Sequence, residues 1–200
     1  MDISATMVKE LRDRTGAGMM DCKKALVEAE GNLEKASDII IKKGLAKAAK
    51  KSDRAASDGL VQAYIHPGGR IGVLVEINCE TDFVARTPDF IGFVEDVALQ
   101  IAAQSPVCIK REEVPADLVA KQREIFEAQV KGEGKPDKIV PKIVDGKIDK
   151  WYSEICLLEQ AFVKNPDQTI EQVRTAVVAK CGENVQIRRF VRFELGSALT

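Results

Sequence analysis

The chain has 200 residues, of which 45% are hydrophobic and 30% are charged. That length and composition fit one domain of ordinary size with a small module beside it, and they exclude disorder throughout the chain. Because the 30 Lys and Arg residues nearly balance the 31 Asp and Glu residues, the overall charge gives no support for nucleic acid as the main partner.

Residues 1–44 carry three apolar stripes at helical spacing, which predict three short helices. Residues 15–18 separate the first helix from the second, and Asn32 is a suitable N-cap for the third. Gly44 is expected to end the third helix, because glycine readily adopts the left-handed conformation found at many helix C-termini. We therefore predict a compact three-helix domain.

Residues 45–57 shift in composition towards Ala, Lys and Ser, and they predict an exposed, basic helical linker. Its basic side chains are Lys47, Lys50, Lys51 and Arg54. A short lysine cluster of this kind is usually a solvated surface. The alternative interpretation is an electrostatic contact with an acidic surface on a partner.

Residues 58–200 are predicted to form an α+β core with a small antiparallel sheet covered by helices. Two alternating runs, residues 60–66 and 70–79, are joined by a Pro-Gly-Gly sequence and predict a β-hairpin. A further strand near the end of the chain is expected to place five apolar side chains on one face, namely Val185, Ile187, Val191, Phe193 and Leu195.

The chain between the hairpin and the last strand is predicted to be mostly helical. Thr87 is a suitable cap for a helix that begins at Pro88, and another helix is expected to start at Pro115. A last helix is predicted over residues 169–181. Pro141 falls inside a predicted helix, where its missing N–H and its ring would disturb the hydrogen bonding.

The sequence contains no constellation of residues that would support catalysis. The Gly-rich residues 132–136 lack the spacing of a phosphate-binding loop, and the single histidine, His66, lies next to a predicted turn. The cysteines form no C-x-x-C pair and are interpreted as reduced, buried hydrophobes: Cys22, Cys79, Cys108, Cys156 and Cys181. We therefore expect no enzyme, no metal site and no cofactor.

The chain is also expected not to associate with a membrane. Its first ten residues have no apolar run behind a basic stretch, and no window approaches the roughly 18 apolar residues of a membrane span. We predict a cytoplasmic protein.

Two short segments depart from ordinary local patterns, and such departures tend to mark function. Asp82 and Phe83 follow an apolar strand directly, so that Phe83 either packs beneath the next helix or acts as an aromatic wedge for a partner. Met19 and Met20 stand together at a predicted helix start, where they either fill the core or form an adaptable protein-binding surface. Core packing is the more ordinary interpretation of Phe83.

The two segments lie within a resemblance that covers nearly the whole chain. Five blocks occur in order: VKELRDRTGAGMMDCKKAL at 8–26, KAAKK at 47–51, GVLVEINCETDFVAR at 72–86, LLEQ at 157–160 and GENVQIRRFVRFELG at 182–196. In these blocks the chain resembles the elongation factor Ts family, which are guanine nucleotide exchange factors for bacterial elongation factor Tu.

The resemblance implies an N-terminal ubiquitin-associated-like domain that grips the nucleotide-binding domain of elongation factor Tu. It also implies that a Thr-Asp-Phe-Val segment displaces the Mg²⁺ ion that helps to hold GDP, with the Phe inserted between partner helices. The residues that match the grip are Arg12, Met19 and Met20. The residues that match the displacing segment are Thr81, Asp82, Phe83 and Val84.

The chain departs from the longer family members in its length. Those members have two related core subdomains, whereas this chain has room for about one. We therefore predict a homodimer that supplies the missing half and forms a 2:2 complex with elongation factor Tu, since a small sheet leaves edges to be covered. The LLEQ block is followed by Ala161, where a Pro is expected in relatives.

Two other classes of function stay open on the sequence. A ribosome- or RNA-associated protein would use residues 42–54 together with Arg188, Arg189 and Arg192 against phosphates. A stand-alone adaptor would bind peptides through residues 1–55. The resemblance favours the exchange factor, for which no direct contact with nucleic acid is expected.

Overall fold

The computed structural model describes residues 3–197 and has the α+β architecture that the sequence predicts. The helices are α1 (Ala5–Thr15), α2 (Met19–Glu28), α3 (Leu33–Ala49), α4 (Asp82–Ala85), α5 (Pro88–Gln104), α6 (Ala116–Gly132), α7 (Val140–Ile155) and α8 (Ile170–Cys181). The strands are β1 (Asp58–Ile65), β2 (Ile71–Cys79), β3 (Ala161–Phe162), β4 (Asn165–Thr169) and β5 (Gln186–Glu194). Short 3-10 helices span Arg111–Glu113 and Leu157–Glu159. The outermost residues of the predicted ranges, 1–2 and 198–200, lie outside the described residues.

No helix within residues 3–197 combines the length and the apolar content needed to cross a lipid bilayer.

Helices α1, α2 and α3 pack around a small core of their own. Leu11, Cys22 and Leu26 are buried at its centre. The side chain of Asn32 accepts a hydrogen bond from the backbone N–H of Lys35 at 3.0 Å and so caps α3, as the sequence predicts. The three predicted helices are therefore present.

The prediction that Gly44 ends the third helix is wrong. Helix α3 continues through Gly44 to Ala49, and so includes the start of the segment that was predicted to be a helical linker. A Cβ atom at position 44 would lie 3.0 Å from Cγ2 of Thr175 in α8. Gly44 thus serves close packing between α3 and α8, and it does so without leaving the helical conformation.

The predicted hairpin is confirmed as β1 and β2, and β5 pairs with the other side of β2 to give the strand order β1-β2-β5. All neighbours in this sheet are antiparallel. The turn of the hairpin is closed by the backbone N–H of His66, which donates to the carbonyl oxygen of Ile71 at 2.9 Å. Gly68 and Gly69 have φ angles of 93° and 67°, which glycine adopts more readily than any other residue.

The prediction that β5 places its apolar residues on one face is wrong. The register shifts between Glu76 and Ile77 of β2, so that Arg188 is an extra residue in β5. Because side chains alternate along a strand, one extra residue moves all later side chains to the opposite face. Ile187 is buried in the core, whereas Val191 and Phe193 are exposed on the outer face of the sheet.

The main core lies between the inner face of the sheet and α5, with α8 packed against α5. Thr87 caps α5 by accepting a hydrogen bond from the N–H of Phe90 at 3.3 Å, and Pro88 occupies the first turn, as predicted. The large apolar side chains of α5 that are buried completely are Phe90, Val94, Val97 and Ile101. Each such side chain stabilises the fold by about 1.5–3 kcal/mol, which makes this layer its main support.

Helices α6 and α7 form a hairpin with a separate small core. Pro141 lies in the first turn of α7, where a missing N–H breaks no helical hydrogen bond, so the helix accommodates it. The base of the hairpin is held by Arg111, whose guanidinium contacts Asp149 at 2.8 Å and also pairs with Glu159. Ion pairs thus connect the hairpin to the core.

The LLEQ block ends in a buried polar contact. The side-chain N–H of Gln100 in α5 donates to the side-chain oxygen of Gln160 at 3.1 Å and to the carbonyl oxygen of Ala161 at 3.1 Å. Ala161 pairs with Thr169 in the short β3–β4 ladder. Gln160 therefore has a structural role, because a buried amide group must be hydrogen-bonded.

Of the cysteines, Cys22, Cys79, Cys108 and Cys156 are buried, as predicted, and Cys181 is half-buried. The Sγ atoms of Cys108 and Cys156 lie 3.5 Å apart. Burial raises the pKa of Cys156 to about 12, so this thiol is protonated at neutral pH.

The close approach of β1 to β2 at Gly59 predicts a strong effect of a single methyl group. Gly59 has a φ of 139°, and a Cβ atom there would lie 2.1 Å from the carbonyl oxygen of Ile77. We expect Gly59→Ala to lower the free energy of unfolding by about 3 kcal/mol, because backbone atoms cannot move aside. Denaturant unfolding measures the change.

The matched control is Gly146→Ala on the exposed surface of α7, where an added Cβ atom would contact nothing within 4 Å. We expect this variant to be more stable by about 0.5–1 kcal/mol, since alanine favours a helix over glycine. Equal stability of the two variants would contradict the register described for β1 and β2.

Candidate partner-binding site

The segment Thr81–Val84 forms the cap and most of the one-turn helix α4 between β2 and α5. The Thr81 hydroxyl accepts a hydrogen bond from the N–H of Val84 and caps the turn. Phe83 lies in the middle of this turn with 81% of its surface exposed. The interpretation that Phe83 packs beneath the next helix is therefore wrong.

The neighbours of Phe83 have different environments. The Asp82 carboxylate contacts the guanidinium of Arg86 at 3.0 Å, and both side chains are exposed. An exposed pair of this kind contributes at most about 1 kcal/mol, so the carboxylate can exchange this partner for another. Val84 is buried with Ala85 in the main core. Val84 therefore anchors the segment and is not available for direct contact with a partner.

The loop after α8 contacts the start of this segment through the side chain of Glu183. One carboxylate oxygen of Glu183, Oε2, accepts hydrogen bonds from the backbone N–H groups of Glu80 and Thr81, both at 3.0 Å. The other oxygen, Oε1, accepts a hydrogen bond from the Thr81 hydroxyl at 2.7 Å. We call this arrangement the Glu183 clasp.

Sequence reasoning assigned no role to Glu183, although the residue lies within a matched block. Its contacts join positions that are 102 and 103 residues apart in the chain. No local pattern indicates such a contact, because helix and strand periodicities report only on neighbours. Invariance of a Gly-Glu-Asn sequence among relatives would be the signal that could reveal it.

Asn184 continues the clasp towards the linker. Its backbone N–H donates to the Oε1 atom of Glu80 at 2.6 Å. Its buried side-chain amide donates to the carbonyl oxygens of Ser52 at 3.2 Å and Arg54 at 2.8 Å. The same loop therefore holds both the start of the Thr81–Val84 segment and the chain that follows α3.

Cys79 adds a contact at the end of β2. Its thiol donates a hydrogen bond to the carbonyl oxygen of Thr81 at 3.2 Å. Burial, and then the negative charge of Glu183, raise the pKa of Cys79 to about 11. The thiol is consequently protonated at neutral pH and able to act as this donor.

The N-terminal candidate residues lie on the surface of the three-helix domain. Met19 and Met20 begin α2 and are 60% and 64% exposed, so the interpretation that they fill the core is wrong. Arg12 is exposed near the end of α1. Arg12 and Met19 line a cleft of about 680 Å³ between this domain and α8, whereas Met20 lies outside its lining.

The structure thus places the candidate residues at two locations. The Thr81–Val84 segment does not contribute to the lining of the cleft that contains Arg12 and Met19. Helix α3 packs against α8, and the loop after α8 carries Glu183. Helix α8 therefore connects the two locations through the interior of the protein.

The basic residues that would suit a nucleic-acid partner are partly neutralised by neighbouring carboxylates. The ion pairs are Lys43–Glu28 at 2.5 Å, Lys47–Asp21 at 3.4 Å, Arg189–Glu76 at 2.7 Å and Arg192–Glu194 at 2.6 Å. The hydrogen bond from Arg189 lowers the pKa of Glu76, which keeps that carboxylate charged. These pairs weaken the positive potential that phosphate binding would require.

Among residues 3–197, no group of three or more His, Cys, Asp and Glu side chains is placed to hold a metal ion. The ring Nδ1 atom of His66 lies 3.0 Å from the Tyr64 hydroxyl beside the hairpin turn. That the protein needs neither a metal nor a cofactor stays a prediction.

The chain is similar to known proteins over nearly its whole length. The family model described as elongation factor TS matches residues 6–197. The chain is 60% identical to the elongation factor Ts of Desulforamulus reducens over 198 residues, which cover 99% of this chain and 91% of that protein.

Two further relatives are equally similar. Identity to the elongation factor Ts of an Anaeromyxobacter species is 61% over 198 residues, or 99% of this chain and 90% of that protein. Identity to the elongation factor Ts of a Thermoanaerobacter species is 59% over 197 residues, or 98% of this chain and 97% of that protein. With a family model that matches nearly every residue and relatives of similar length, the chain belongs to the elongation factor Ts family.

Proposed function

We propose that this translation elongation factor binds elongation factor Tu with GDP, disrupts its Mg²⁺ and nucleotide site, and promotes exchange of GDP for GTP. The observation that carries the proposal is the exposed Phe83, presented on a one-turn helix whose next residue is buried in the core. The protein makes and breaks no covalent bond in this role and is therefore not an enzyme. It acts in the cytoplasm, where its partner works.

A single aromatic wedge is not sufficient for the proposed activity. Accelerating GDP release about a thousandfold requires roughly 4 kcal/mol of differential stabilisation, whereas burying one Phe side chain supplies about 1.5–3 kcal/mol. Other contacts have to contribute the remainder. The exposed Arg12, Met19 and Met20 are suited to do so by holding the partner while Phe83 inserts.

Linkage explains how a protein without an active site can act repeatedly. If this factor lowers the affinity of elongation factor Tu for GDP, GDP must lower the affinity of elongation factor Tu for the factor by the same ratio. The complex is therefore most stable when the partner is free of nucleotide, and the binding of fresh GTP releases the factor. The cycle needs no step in which this chain changes chemically.

We also propose that the factor is a homodimer in which a second copy covers the outer face of the sheet. Leu74 lies opposite Val191 in the β2–β5 ladder, and Phe193 lies opposite Gly72, so their side chains form one exposed apolar surface. On β1, Val61 and Ile65 extend it. An apolar sheet face of this kind suits a two-fold contact with its own copy, which gives a 2:2 complex with elongation factor Tu.

The proposed insertion of Phe83 into the partner predicts that one substitution has a large effect on nucleotide release. In a fluorescent-GDP release assay with elongation factor Tu, we expect Phe83→Ala to lower the maximal rate about tenfold to a hundredfold, since about 1.5–3 kcal/mol of contact is lost. Asp82→Ala is expected to lower it less. The control is Ile125→Ala, which removes an exposed apolar side chain from α6.

A native protein that fails to accelerate GDP release would refute the proposed function. Acceleration that is unchanged in both Phe83→Ala and Asp82→Ala would leave the function in place and refute the assignment of the segment.

The methionines at the start of α2 predict a different kinetic signature. We expect the double variant Met19→Ala, Met20→Ala to raise the half-saturating concentration about tenfold with little change in the maximal rate, because uniform binding energy is lost. Val27→Ala, an exposed apolar residue near the other end of α2, is the control. A lower maximal rate at unchanged half-saturation would contradict a gripping role.

The outer face of the sheet predicts the oligomeric state. Sedimentation equilibrium at micromolar concentration is expected to give twice the mass of the chain, and Leu74→Lys is expected to give a monomer, because it places unpaired charges in the apolar contact. Ile125→Lys on α6 should remain dimeric. A monomer mass for the native protein would refute the dimer and leave the exchange function untouched.

A further inference from the structure

We propose that Glu183 is a positioning residue, whose carboxylate holds the Thr81–Val84 segment in the conformation that presents Phe83 to the partner. This role rests on the exchange function proposed above. Glu183 does not itself need to touch the partner. It acts through the backbone and the cap of the one-turn helix that carries Phe83.

The number and direction of the hydrogen bonds support this role. Three donors converge on the one carboxylate of Glu183, two from consecutive backbone amides and one from the hydroxyl of Thr81. Hydrogen bonds to a charged acceptor are roughly twice as strong as those between neutral groups. The donors lie immediately before α4, so they fix the direction in which its first turn leaves β2.

The hydroxyl of Thr81 connects the clasp to Phe83 directly. It donates to Glu183 and accepts from the N–H of Val84, so one group joins the carboxylate to the residue that follows Phe83. A four-residue helix is too short to be stable by itself. Its conformation therefore depends on the contacts at its start and on the burial of Val84 and Ala85.

Glu183 is itself held on both sides. Gly182 ends α8 with a φ of 78°, and its N–H donates to the carbonyl oxygen of Val178 at 3.0 Å. On the other side, the buried Asn184 binds Glu80 and the linker. The carboxylate thus projects from a loop that is fixed before any partner arrives, which is the property that a positioning residue requires.

The test is a double-mutant cycle between positions 183 and 83 in the fluorescent-GDP release assay. We expect Glu183→Ala to lower the maximal rate about tenfold in the native background and less than about twofold in the Phe83→Ala background. A residue that supports the fold in general would lower the rate by the same factor in both. The half-saturating concentration should change less than about twofold.

The conservative variant Glu183→Gln distinguishes hydrogen bonding from charge. Its carbonyl oxygen can accept from both backbone amides, and its NH₂ group can donate to the Thr81 hydroxyl. We expect it to restore the maximal rate to within about threefold of the native protein. Glu133→Ala, which removes a carboxylate at the distant end of the α6–α7 hairpin, is the matched control.

A second measurement on the free protein separates this inference from the exchange function. Amide hydrogen exchange of Glu80 and Thr81 should be faster in Glu183→Ala than in the native protein or Glu183→Gln, with no change at Val75 in β2. If Glu183→Ala unfolds, Glu183→Asp keeps the charge on a shorter side chain, and the same dependence on Phe83 is expected with a smaller loss.

Three outcomes would overturn the positioning role. They are an unchanged maximal rate in Glu183→Ala, an equal loss with and without Phe83, and unchanged amide exchange at Glu80 and Thr81. Failure of the native protein to accelerate GDP release would refute the exchange function instead, and the amide exchange would then still report whether the clasp orders the segment.

Discussion

The packing of α5 against the inner face of the sheet is the contact on which the rest of the structure depends. It fixes β2 as the central strand and places the residues that follow β2 at the edge of a rigid core. Helix α8 packs on α5, so the loop after α8 returns beside the end of β2. The Thr81–Val84 segment can be short because both of its ends are attached to this layer.

Consecutive residues of the Thr81–Val84 segment have different environments: one side chain packs in the core and its neighbour is exposed. Val84 is buried and Phe83 is exposed, and the difference follows from the geometry of one helical turn whose cap is held by Glu183. An exposed Phe contributes little to the stability of the free protein, whereas it would contribute on insertion into a partner. The core therefore holds the segment in place, and the exposed side chain keeps its apolar surface available for contact.

The sheet shows how one residue changes the character of a surface. The extra residue Arg188 turns Val191 and Phe193 away from the core, while Ile187 remains inside. Without this bulge the outer face would carry fewer apolar side chains. The exposed apolar face that motivates the dimer is thus a consequence of strand pairing, which no alternation pattern in β5 alone could reveal.

Local sequence patterns predicted the helices and strands well, but they predicted poorly which of these pack against each other. The caps at Asn32 and Thr87 were readable because the side chain that closes each helix lies within three residues of the group it binds. The prediction that Gly44 ends a helix was wrong because glycine occurs both at helix ends and where two helices pack closely. Only the position of Thr175 distinguishes the two uses.

The sequence by itself determined the family, the α+β class, most of the helices and strands, and the two segments with unusual composition. These depend on periodicity, capping and ordered motifs, all of which are properties of neighbouring residues. Only the tertiary structure decided that Phe83, Met19 and Met20 are exposed, that Val84 is buried, and that Glu183 closes a clasp on Thr81. These depend on residues that are far apart in the chain and meet only when the core has formed.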